Sequence, residues 1–194
     1  DNNYTDMEHK WDEGFGYLYG LEGDNLANAG ASPSGNGSLL MKYFKKVDED
    51  GGYEPGIGQV VYDAFIMGRT AIVNKDYELR DQQAAIIKVE LSKVIGYYAI
   101  HYMNDYVAKL EAGNVAKAHH SLSEAWGFLL SLSFTNNGND EPFMDRTTVE
   151  YFLDNYLGDF HSVDPGVLTA PATAPYPGMI ALVLQAFEAN GVTL

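Results

Sequence analysis

Between Tyr77 and Glu111 the apolar side chains Ile87, Leu91, Val94, Ile95, Tyr98, Tyr102 and Tyr106 recur at steps of three or four. That spacing is the period of an α-helix. A helix of this span is about 50 Å long. Such a rod exposes a long apolar stripe, and only other helices laid beside it can cover that stripe. No segment shows the alternation expected of strands. The expected fold is therefore all-α: an up-down helical bundle with short helices packed alongside, in a single domain over residues 1–194.

The remaining segments fit that frame. Thr5-Asp6-Met7-Glu8 reads as a capping box that opens a first helix running to about Leu21. Residues 22–37 are rich in Gly, Asn and Ser and read as a loop. A short helix is expected over 38–46, a turn-rich acidic loop over 48–56, and a helix over 57–73 with Val60, Val61, Phe65 and Met67 as apolar positions. Gly113-Asn114 ends the long helix and caps the next, to about Phe134. Thr147-Thr148-Val149-Glu150 is a second capping box, opening a helix to about Leu157. Residues 158–178 hold Pro165, Pro171, Pro175 and Pro177 and should be largely irregular, before a last helix over 179–190.

Charge narrows the partners. Twelve Lys and Arg against 27 Asp and Glu leave a net −15, a surface that repels phosphate backbones and anionic lipid. Nucleic acid is excluded on that ground, whereas cations are attracted. No cysteine is present, so disulfides and thiolate chemistry are absent. No run of about 18 apolar residues offers a membrane span. The chain starts at Asp1 and enters its first motif within ten residues, which suggests a mature or cleaved product.

That first motif occurs twice. HKWDEGFGYLYGL from His9 and HSLSEAWGFLLSL from His120 coincide at His9/His120, Glu13/Glu124, Gly16/Gly127, Leu18/Leu129 and Leu21/Leu132. Gly14/Ala125, Phe15/Trp126 and Tyr17/Phe128 are swaps of like for like. Each His and Glu, four apart, share one helix face, and the Gly three further on lies on it too, where another helix can come close. Two such helices face to face would gather His9, Glu13, His120 and Glu124, a donor set suited to iron or zinc. The simpler alternative is a polar network that only locks helices in register. No catalytic residue is assigned: the H-E-x-x-H pattern of zinc peptidases is missing, and His119 points away from the face of His120. His101, near the Val94/Tyr98 stripe, reads as a core histidine, and His161 carries no assignment. Residues 48–51 and 136–141 carry oxygen ligands without the twelve-residue calcium pattern. Residues 30–37 lack the Lys and Ser/Thr of a phosphate loop.

HKWDEGFGYLYG, GRTAIVNKDYELRD and HHSLSEAWGFLLSLSF resemble the imelysin-like lipoproteins of domain of unknown function 4856, over about Glu8 to Phe134. The resemblance implies an all-helical, extracytoplasmic bacterial protein, in the periplasm or on the outer-membrane surface and anchored by an N-terminal lipid. The wider imelysin group is linked with iron uptake and also carries a peptidase label. It implies further that this chain is the C-terminal part of a longer, processed chain, with the N-terminal fragment or another cell-envelope protein as partner. The sequence departs from the imelysin pattern G-x-H-x-x-E by placing Glu at i+4.

Overall fold

A computed structural model describes residues 3–19 and 39–194. Among them no strand occurs, and the helices are α1 (Asp6–Tyr19), α2 (Leu39–Asp48), α3 (Ile57–Val73), α4 (Tyr77–Glu111), α5 (Val115–Leu132), α6 (Arg146–Tyr156), α7 (Gly166–Thr169) and α8 (Met179–Glu188). The long helix has the bounds its periodicity sets. The expected loop over 22–37 lies outside the described residues.

Local chemistry fixes most helix ends. Glu8 N–H donates to Thr5 Oγ1 at 3.3 Å while the Thr5 hydroxyl donates to Glu8 Oε1 at 3.1 Å, the capping box read from the sequence. Asn114 Oδ1 accepts from Lys117 N–H and opens α5. At α6 the cap is Asp145, two residues before the expected Thr147. Its Oδ1 accepts from Thr148 N–H at 2.9 Å, and Glu150, the expected box partner, pairs with Arg146 at 2.6 Å instead. A carboxylate at a helix N-terminus gains from the dipole as well as the hydrogen bond, so it displaces the hydroxyl. The proline-rich stretch, expected to be largely irregular, holds the one-turn helix α7.

The acidic residue Asp48 ends α2 and caps α3: its Oδ1 accepts from Gly56 N–H at 3.0 Å and Gly58 N–H at 2.8 Å. Gly56 takes φ 98° to make that approach, a conformation that favours glycine. In the 136–141 loop, Asn136 and Asn137 likewise turn their side chains onto the N–H groups of Gly138 and Asn139.

The helices form two compact units, Asp1–Val94 and Ile95–Leu194, the division falling within α4. In the first, α1 packs chiefly on α3. Phe15, Tyr19, Tyr62 and Phe65 interlock there, with Phe15–Tyr19 centroids at 4.5 Å and Phe15–Phe65 at 5.4 Å. Val61 and Phe65 are buried as expected, but Val60 and Met67 are about half exposed, and Tyr62, Ala64 and Ile72 take the core positions. The contact with α1 selects that stripe, a phase that apolar spacing alone leaves open. Lys93, nearly buried, sits between Glu54 at 2.5 Å and Glu90 at 2.9 Å. Burial pushes its ammonium down, but the hydrogen bonds of the two carboxylates more than offset this and hold it above the usual lysine value.

In the second unit α5 packs chiefly on α6, and α7 on α8. Leu122, Leu129, Leu132, Met103, Val149, Leu153 and Phe187 are buried. Phe143 stacks on Phe187 at 3.9 Å. Gly96 admits Phe187 and Leu194, whose atoms would lie 2.9 and 2.7 Å from an added Cβ.

Candidate functional site

The two motif helices bury the same register. Counted from each His, position 2 is Trp11 or Leu122, position 5 is Gly14 or Ala125, and position 9 is Leu18 or Leu129. At 100° per residue these cluster on one side of a helix, and positions 0, 4 and 7 fall on the other. Leu18, Leu122, Ala125 and Leu129 are buried accordingly, while His9, Gly16, His120 and Gly127 are exposed. The His-Glu-Gly stripe is thus the outward side of both helices.

Each stripe carries a close pair. His9 Nε2 lies 3.1 Å from Glu13 Oε1, and His120 Nε2 lies 3.9 Å from Glu124 Oε1. The histidine side chains are 49% and 69% exposed. Glu13 is shared, since Lys10 Nζ meets its Oε2 at 2.8 Å. The Lys10 hydrogen bond is the main reason its carboxyl titrates below the ordinary glutamate value. Tyr4 stacks on His9 at 5.5 Å.

His9 and Glu13 belong to the first compact unit, His120 and Glu124 to the second. Among the described residues no group of three or more His, Asp and Glu side chains is placed to hold a metal ion. What the geometry offers is a two-donor clamp, presented twice. The motif glycines do not admit a neighbour among the described residues: nothing lies within 4 Å of a Cβ at Gly16 or Gly127. The expected close approach is found at Gly68 instead, against Trp11.

What fastens α1 to α3 sits beside and between His9 and Glu13. Trp11 Nε1–H donates to the Phe65 carbonyl at 2.9 Å. Arg69 pairs with Glu8 and with Asp12, both at 2.8 Å. In the second copy Leu122, His119 and Ser123 stand where the clasp has Trp11, Glu8 and Asp12. Its position equivalent to Lys10 is Ser121, fully buried, which donates to Asp105 Oδ2 at 2.6 Å and meets Lys109 Nζ at 2.9 Å. Its Phe128 stacks on Tyr98 and Tyr102, at 5.5 and 5.6 Å, whereas the matching Tyr17 is 80% exposed.

The model of the family described as Domain of unknown function (DUF4856) matches residues 1–163. The chain belongs to the DUF4856 family. Both copies of the DUF4856 chain's motif lie inside the matched residues, as does the whole of α6. Neither the curated proteins nor the solved structures give a match.

The other histidines of the DUF4856 chain fall as follows. His101 is half-buried between the rings of Tyr98 and Tyr102, at 5.4 and 5.0 Å. His119 turns edge-on to His161 at 4.9 Å, a pairing that no sequence spacing announces because 42 positions separate them. Reading the sequence also missed a cleft beside α6, whose only linear signal is the three tyrosines Tyr151, Tyr156 and Tyr176. No helix among the described residues is long and apolar enough to cross a membrane.

Proposed function

We propose that the chain is an extracytoplasmic, imelysin-like helical binding protein whose His9/Glu13 and His120/Glu124 clamps take a divalent cation, iron or zinc, as part of its uptake. One observation carries the reading: the same His-Glu pair recurs in the same register on two helices, outward on both. A pair repeated in the same outward register is available to a ligand. Imidazole nitrogen and carboxylate oxygen are ligands of both metals. The net charge of −15 concentrates cations near such a surface. Each clamp supplies two donors, so water or groups of a partner complete the coordination. That partner is the N-terminal fragment of the same precursor or another cell-envelope protein.

The test is metal analysis of the purified, chelator-stripped chain after loading with Fe²⁺ or Zn²⁺, beside a His9→Ala/His120→Ala variant. Metal retained by the parent and lost by the variant supports cation binding. Equal metal in both, or none in either, removes it.

A second reading is an interaction module, favoured by the glycines. Gly16 and Gly127 leave the outward stripe without a side chain one turn beyond each Glu, which suits close docking of a partner's helix. Under that reading Gly16→Leu or Gly127→Leu abolishes complex formation and leaves metal content unchanged.

A further inference from the structure

In the second unit α6 presents Tyr151, Phe152 and Tyr156 to an open cleft of about 370 Å³, also lined by Tyr176, Pro177 and Met179. That volume lies within the range of small-molecule sites. Its rings are unusually open: Tyr176 is 89% exposed, Tyr151 61% and Tyr156 43%. Single exposed apolar side chains are ordinary, but three tyrosines converging on one hollow are not.

A second hollow, of about 430 Å³, adjoins the first and shares Tyr156, Asp164 and Val167 with it. It is polar, carrying Asp154 and Asp159 beside the shared Asp164. Among the described residues no Lys, Arg or His lines either hollow. Asp159 accepts from Ser162 and from the His161 N–H, and Asp164 Oδ1 accepts from Gly166 N–H at 2.9 Å. These bonds orient the two carboxylates and, with His161 and His119 nearby, hold Asp159 below the ordinary aspartate value, in its charged form. The acids alone would be a solvated rim; the aromatic hollow opening onto them is what selects a ligand.

We propose that this double cleft binds an organic cation, an ammonium group carried on an apolar body. The tyrosine faces attract a cation through their quadrupole and cover its methyl or methylene groups. The aspartates supply the counter-charge at the junction. An anion would meet three carboxylates, offset only by His161 and His119 beside Asp159. A sugar could use the rings and the carboxylates as acceptors, but would leave the charge of Asp154, Asp159 and Asp164 without a counter-ion, and the glucoside arm of the test separates the two. A purely apolar ligand would leave the acidic half unused.

The experiment is an NMR titration of the intact chain with choline, its uncharged carbon isostere 3,3-dimethyl-1-butanol, and methyl glucoside. Saturable shifts at Tyr151, Tyr156 and Tyr176 with choline, and binding about tenfold weaker with the isostere, are expected. Asp164→Asn keeps the acceptor for Gly166 and should weaken choline about fivefold, as should Tyr156→Leu. Equal binding of choline and its isostere overturns the proposal, because charge would then play no part. So does a response to the glucoside alone, or no saturable response to choline. The cleft does not involve His9 or His120, so failure here leaves the cation clamps untouched.

Discussion

The indole of Trp11 lies across Gly68: a Cβ on that glycine would sit 2.1 Å from Trp11 Cζ2 and 2.4 Å from Cη2. With the Trp11 hydrogen bond to the Phe65 carbonyl, this contact sets how closely α1 lies on α3. Gly68→Ala is expected to push the ring out and lower stability by about 1–3 kcal/mol. Urea unfolding of parent and variant checks it; an unchanged midpoint would mean the indole is not seated there.

Arg69 holds two carboxylates of α1, Glu8 and Asp12, one turn apart. A planar guanidinium serves both at once, and a lysine ammonium on a flexible stem does not. Arg69→Lys should cost about 1 kcal/mol at low salt. The difference should shrink in high salt, where partly exposed charges are screened. Thermal melts across a salt series measure both effects.

The His9 and His120 pairs are exposed, and exposed ion pairs along a helix add little. His9→Ala/His120→Ala should therefore change unfolding free energy by less than about 0.5 kcal/mol. A large loss in urea titration would show that the pairs lock helices after all, and metal loss in that variant would then be ambiguous.

Acid should weaken the second unit through Asp105. Burial raises its carboxyl, but Lys109 Nζ at 2.5 Å and the Ser121 hydroxyl at 2.6 Å more than offset this, leaving it below its ordinary value of 3.8. A depressed folded value adds stability above the ordinary value, which is lost as pH falls through the folded one. The parent's melting temperature should fall more steeply between about pH 4 and pH 2 than that of Asp105→Asn. Parallel curves would show that Asp105 does not contribute.

The helices were legible in the sequence because their signals are local. The period of Tyr77–Glu111, the Thr5 box and the Asn114 cap each act within a few residues, so one stretch of chain contains the whole cause. Membership of the DUF4856 family was legible through the two His-Glu motifs and the segment between them. The one cap misplaced, Asp145 for Thr147, was a competition between two nearby acceptors, and the carboxylate won by its charge.

The sequence by itself thus determined an all-helical chain, most of its helix ends, and the repeat that puts each His above its Glu. Tertiary structure alone decided which way those repeats face. The buried side of α1 is chosen where its Trp11 meets Phe65 and its Glu8 and Asp12 meet Arg69, residues of α3 more than 50 positions away. The same register buries Leu122 and Leu129 in α5, and both choices turn the His-Glu-Gly stripe outward. Helical periodicity fixes which side chains share a face. Whether that face meets protein or water depends on what the rest of the chain brings against it.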